Sequence, residues 1–167
     1  MTRLTNLIMN SKKIIINLSI VFLIFFIDRI TKNYILEIAE SQNAVEIYIN
    51  PFLNFVLFWN KGIGFGLFSF DQLQAYNLIT ALIIAIIVII IFIIYKTKDY
   101  KIYFYLMILG GALGNLFDRL YYSAVPDFID FHINNFHWFI FNIADIFISL
   151  GVICLIFAEI IFKKKTK

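Results

Sequence analysis

Four long apolar runs, separated by short polar stretches, dominate the chain; they lie at about 14–38, 78–95, 102–119 and 138–162. A membrane-crossing helix needs about 20 mostly apolar residues. The pattern therefore predicts an all-α polytopic membrane protein with four transmembrane helices, folded as a single integral-membrane domain over 1–167. The run at 78–95 carries no charged residue and is the clearest span. The first run follows basic residues, as a cleaved signal peptide would, but it is too long, lacks a small-x-small cleavage site and contains Asp28, Arg29 and Lys32. It reads as a retained helix. Two segments, about 40–74 and 121–137, fall on the other side of the membrane from the termini. Within the first, VEIYINPFLNFVLFW (45–59) is rich in β-branched and aromatic residues and is interrupted by Pro51. It predicts short strands or an edge hairpin, a small extracytoplasmic β-rich element.

Composition changes the picture mainly by exclusion. The chain of 167 residues is 62% apolar and 15% charged, which excludes an ordinary soluble domain. The net charge of +3 does not point to nucleic acid, because the basic residues cluster beside the apolar runs: Arg3, Lys12 and Lys13; Lys96, Lys98 and Lys101; Lys163, Lys164, Lys165 and Lys167. The positive-inside rule puts all three clusters, and both termini, on the cytoplasmic side. Trp59 and Trp138 suit an interfacial aromatic belt, and the external segment suits a phospholipid headgroup surface. Cys154 is the one cysteine and reads as a free core thiol. His132 and His137 stand among aromatics without metal-ligand spacing, so neither metal nor cofactor is expected. Glu159 and Lys163 are four residues apart and predict a local ion pair.

Candidate chemistry lies in the polar residues inside the runs, because a charge in a membrane helix is costly unless paired or functional. Asp28 and Lys32 are four apart in the outer half of the first run. Asn115 and Asp118 are three apart, with Arg119 next, at the outer end of the third. Asn142 and Asp145 are three apart in the first two turns of the fourth. Asp127 and Asp130 lie in the connecting segment. At ~1.5 Å rise per residue these groups share one level near the outer leaflet. Asp28 and Lys32 can neutralise each other. Asp118 and Arg119 are adjacent and point apart. Asn115 and Asn142 can orient a carboxylate. Asp127 and Asp145 have no local basic partner. Two neighbouring carboxylates do not both ionise easily, so one can hold a proton while the other activates water, which suffices to hydrolyse an amide without a metal. A lone intramembrane aspartate is often structural, but five acids at one depth on separate segments exceed what packing alone requires. An ion- or proton-coupled transport subunit is the alternative, although such proteins hold their acids near the midplane and often show inverted repeats. The glycines of NKGIGFG (60–66) lack the context of a nucleotide loop and suit a tight backbone course, with Asn60 as a polar arm. Gly110 and Gly114 form a small-xxx-small helix face.

The motifs IDRITK (27–32), NKGIGFG (60–66), GGALGNLFDR (110–119), VPDFIDF (125–131) and FNIAD (141–145), in this order and spacing, resemble the lipoprotein signal peptidase (signal peptidase II) family of the bacterial inner membrane. The resemblance covers about 20–157. It implies an aspartic endopeptidase that removes signal peptides from diacylglyceryl-modified prolipoproteins, cutting before the lipidated cysteine, close to the periplasmic face. It implies Asp127 and Asp145 as the catalytic pair. Asp28, Lys32, Asn60, Gly111, Asn115, Asp118, Arg119, Asn142 and Ala144 match other motif positions and are expected to support the site or contact substrate. Lipid-modified prolipoproteins and membrane phospholipid are the expected partners of a monomer. Pro126 stands where the family usually has an aliphatic residue, which leaves the presentation of Asp127 open, and Gly64 replaces the usual Ala or Ser.

Overall fold

The computed structural model describes residues 3–42, 45–62, 72–134 and 136–163. The chain runs α1 (Arg3–Gln42), β1 (Glu46–Asn50), β2 (Leu53–Asn60), α2 (Gln72–Lys96), α3 (Ile102–Tyr122), β3 (Val125–Ile133), β4 (Phe136–Phe141) and α4 (Ile143–Lys163). The first three apolar runs and most of the fourth are helical, and the fold is mostly helical with one small antiparallel sheet. Helix α1 extends past the expected 14–38 at both ends because no Gly or Pro interrupts 3–42. Gly64 and Gly66 lie outside the described residues.

Among the described residues, three helical stretches are long and apolar enough to cross a membrane: Ser11–Gln42, Gln74–Lys96 and Ile143–Ile161. Helix α3 is not among them. Its last two turns carry Asn115, Asp118 and Arg119, which lower its hydropathy, and it buries Asp118 and Arg119 against its neighbours. It packs on α1, α2 and α4. One apolar cluster, Ile87 and Ile90 of α2 with Ile108, Leu109 and Ala112 of α3, joins the two helices. Large side chains such as Phe22, Leu82, Ile89, Phe92, Ile156 and Phe157 stay exposed on the outer faces of α1, α2 and α4, as lipid-facing surfaces require.

The expected β-rich element is larger than its sequence signal. Strands β1 and β2 form the hairpin read at 45–59, and β2 pairs with β3 from the other external segment, giving one sheet in the order β1-β2-β3-β4. The fourth apolar run is accordingly not one helix: 136–141 is strand β4, and α4 starts at Ile143 rather than at 138. FHWFIF is aromatic and short, and β3 offers it a free edge, so sheet pairing overrides its continuity with the helix. Phe128 and Ile129 of β3 pack with Ile35 of α1 and Val45, which seats the sheet on the end of α1. Pro126 pairs with Trp59 where β3 has β2 as its neighbour, before β4 joins at Ile129. Its missing N–H therefore costs no ladder bond on the β4 side. Trp59 and Trp138 are exposed on the sheet. Cys154 is free and half-buried. Glu159 pairs with Lys101 at 3.0 Å, because the start of α3 brings Lys101 alongside; the Lys163 side chain, its expected partner, lies outside the described residues.

Candidate active site

Helices α1 and α3 meet through a closed set of four charges. Lys32 is fully buried and donates to Asp28 Oδ2 (2.9 Å), Asp118 Oδ2 (2.7 Å) and Asn115 Oδ1 (2.9 Å), which uses all three of its protons. Arg29 pairs with Asp118 Oδ1 (2.6 Å) and with Asp28 Oδ2 (3.1 Å). Two positive and two negative groups cancel, so the cluster is neutral where isolated charge would be expensive. Asp118 therefore finds its partners on α1, away from adjacent Arg119. Arg29 was not among the site residues expected from the motifs, although its place beside Asp28 in IDRITK was the available signal.

The cluster reaches α4 through two bonds. Asp28 Oδ1 accepts the backbone N–H of Ala144 (3.0 Å), one of the orphan donors at the start of α4. Because Lys32 occupies Asn115 Oδ1, the Asn115 amide can only present its Nδ2, which donates to Asp145 Oδ1 (2.8 Å). Glycine allows this approach. A Cβ on Gly111 would stand 2.5 Å from the Ala144 carbonyl oxygen, and one on Gly114 would stand 2.6 Å from Asp28 Oδ2. A Cβ on Gly110, the other small residue of that face, would meet Ile24 of α1 at 2.9 Å. Gly111→Ala is expected to force α3 and α4 apart and to cost about 1–3 kcal/mol. Thermal unfolding in detergent checks this, and an unchanged midpoint contradicts it.

Asp145 is fixed from its own helix as well. Asn142 is the N-cap residue of α4 and not part of its first turn. Its Oδ1 accepts the Asp145 N–H (3.1 Å), and Asp145 Oδ2 accepts the Asn142 N–H (3.2 Å). This is a capping box, with Asn at the cap and Asp three residues on. The same Asn142 turns its Nδ2 to Asp127 Oδ1 (2.6 Å). Asn60, at the end of β2, donates to Asp127 Oδ2 (2.9 Å) and accepts the Gly62 N–H (2.7 Å). Gly62 has φ +76°, a left-handed turn that glycine adopts freely. Asp127 and Asp145 are thus held by one residue, Asn142, from a strand and a helix. Asp127 is almost fully buried, and desolvation pushes its carboxyl up to about 6 from an ordinary 3.8, with the Asp145 charge adding to the rise and the Asn60 and Asn142 bonds opposing it.

Arg119 stands apart. Its guanidinium lies against Gly62 and over the Tyr76 ring, its carbonyl accepts the Tyr76 hydroxyl, and it makes no ion pair among the described residues. Beside Asp145 a cavity of about 410 Å³ is lined by Phe131, Trp138, Phe139, Phe141, Ile146 and Leu150. Every expected site residue is therefore at or beside one locus, where the helix ends meet the sheet. Asp130, to which the motifs assign no role, turns instead to His132 and His137.

Comparison with known proteins agrees with this architecture. Residues 20–161 match the family model described as Signal peptidase (SPase) II. The chain is 54% identical over 156 residues to the lipoprotein signal peptidase of Pelagibacter ubique, covering 93% of this chain and 94% of that one. It is 40% identical over 141 residues to that of Aquifex aeolicus, covering 83% and 82%. A solved bacterial membrane enzyme at 2.3 Å resolution superposes with TM-score 0.67 and 26% identity over 90% of this chain and 91% of that one. With the motifs, the helix–sheet frame and the match along most of its length in agreement, this chain belongs to the signal peptidase II family.

Proposed function

We propose that the chain removes signal peptides from diacylglyceryl-modified lipoprotein precursors, cutting before the lipidated cysteine, with Asp127 and Asp145 as the acid–base pair. The observation that carries the assignment is Asn142, which holds both carboxylates while capping α4. One carboxylate takes a proton from water as the water oxygen bonds to the scissile carbonyl carbon. The other, protonated, donates to the carbonyl oxygen. Collapse of the tetrahedral species breaks the C–N bond, and a proton passes to the leaving nitrogen. The Asp127 carboxyl, raised to about 6, supports a pair that holds a proton to higher pH than an ordinary carboxyl and titrates as a unit. Lys32, Asp28, Asp118 and Arg29 touch no reacting atom in this scheme; they position Asn115 and the start of α4. Asn60 orients Asp127, Gly111 and Ala144 permit the close helix contact, and Arg119 stands ready for substrate at the Gly62 turn.

The placement in the membrane follows. Helix α3, about 31 Å long, crosses with the three helices it packs on, giving four spans with both termini cytoplasmic, as the basic clusters favour. The sheet and the pair then lie at the periplasmic face of the bacterial inner membrane, level with the headgroups where a lipid-anchored cysteine sits. The apolar cavity beside Asp145 suits an apolar part of the substrate. The chain works as a monomer, since the proposed site is assembled within one copy. No observation favours the transport alternative. The test is a purified chain in lipid nanodiscs given matched precursors with and without the diacylglyceryl group. Cleavage of the modified precursor alone is expected. Equal cleavage of both, or of neither, contradicts the proposal.

A further inference from the structure

The β3–β4 hairpin gathers three metal-ligating side chains that the acid–base pair does not use. His132 and His137 are direct cross-strand partners, and Asp130 lies two residues from His132, on the same face of β3. The linear spacing of these residues hides this, because the hairpin and its irregular register between Asp130 and His132 create the proximity. His137 Nδ1 is 2.9 and 3.0 Å from the two Asp130 oxygens, and His132 Nδ1 is 3.6 Å from Asp130 Oδ2. One ligand atom from each of the three falls within 4.8 Å of the others.

We propose that Asp130, His132 and His137 form a binding site for a divalent first-row transition metal of the zinc type. Tetrahedral ligands at ~2.0–2.1 Å from zinc lie about 3.3 Å from one another; the two nitrogen–oxygen separations here, 2.9 and 3.6 Å, bracket that value, and all three ligand atoms lie within 4.8 Å of one another. Two imidazoles and one carboxylate favour zinc-like ions over calcium or magnesium, which prefer oxygen. A second observation points the same way. His132 Nδ1 is buried, yet it makes no hydrogen bond among the described residues, although Asp130 lies beside it. A metal ion would take its lone pair and would share Asp130 between both rings. The rings stack with centroids 4.9 Å apart and 23° between their planes, so both Nδ1 atoms can face one point. The fourth position is left to water. Such an ion would clamp β3, which carries Asp127 three residues upstream, to β4, which leads into Asn142. The site stands on its own residues and does not depend on the proteolytic assignment.

The test uses the full chain in detergent without a histidine tag. Cobalt titration followed by visible absorption is expected to saturate at one ion per chain, with zinc displacing cobalt and raising the unfolding temperature. His132→Ala and His137→Ala are each expected to weaken zinc binding by at least about 100-fold. The His137 side chain is 55% exposed, so its removal leaves the core intact. That variant decides the matter even if His132→Ala fails to fold. Wild-type chain that shows no saturable binding at micromolar metal, or a His137→Ala variant that binds as the wild type does, overturns the proposal.

Discussion

Asp127→Asn is expected to abolish processing, with a loss of at least about 10³-fold, while the protein stays folded. General acid–base groups contribute roughly 10²–10⁴-fold each, and the partner cannot substitute for a missing one. The same variant should change how stability depends on pH, which a simple loss of structure would not do. The Asp127 carboxyl is raised to about 6 from an ordinary 3.8, so between these values the folded protein binds a proton that the unfolded chain releases. Its contribution is fully present below about pH 4 and is lost as pH rises through about 6. The difference corresponds to roughly 3 kcal/mol at most. Asparagine cannot titrate, so the variant should lose this contribution to the pH slope across that window. It does not come free of strain: Asn60 and Asn142 both point amide donors at Asp127, and both amides are fixed at their other ends. One N–H would then face another. The pH slope between 4 and 7 is therefore the readout, measured by thermal unfolding in detergent. A wild-type slope in the variant contradicts the account.

Lys32→Met is the substitution expected to cost most in stability. Lys32 is fully buried and supplies three charge-assisted hydrogen bonds. Its removal leaves Asp28 and Asp118 sharing Arg29 alone, a net negative charge in a buried place. Breaking a buried ion pair from one side costs about 3–5 kcal/mol. It also frees Asn115 Oδ1, so the amide that holds Asp145 loses its fixed orientation. Processing should fall even in the fraction that folds. The charge-balanced double variant Lys32→Met with Asp118→Leu keeps Asp28 and Arg29 as a neutral pair. It is expected to recover part of the stability and none of the lost processing. Recovery of both would mean that Lys32 acts only through charge balance.

The sequence was informative wherever a relation is local along one element. Asp28 and Lys32, four apart in α1, do pair, and the glycine face of α3 does admit its neighbours. The residues of the family motifs fall together where the helix ends meet the sheet. Relations across elements were hidden. Nothing in the spacing joins Lys32 to Asp118, 86 residues away, or Glu159 to Lys101, 58 away. The boundary before α4 is not legible in the sequence for a physical reason: an apolar strand and an apolar helix differ in period, and six residues are too few to separate them. An apolar run that continues through 138–162 puts Asn142 inside a helix, whereas α4 starts one residue after it. As the cap between strand and helix, its side chain holds Asp145 through Oδ1 and reaches Asp127 through Nδ2. The proximity of the hairpin histidines is likewise absent from their linear spacing, because strand pairing sets their separation.

The most direct measurement of the central claim is the processing rate of a lipid-modified precursor by four purified proteins: the wild type, Asp127→Asn, Asp145→Asn and the double variant. If the two carboxylates act as one unit, each single change lowers the rate by at least about 10³-fold and the double variant is no slower than the slower single. A single variant that processes within tenfold of the wild type would contradict the assignment.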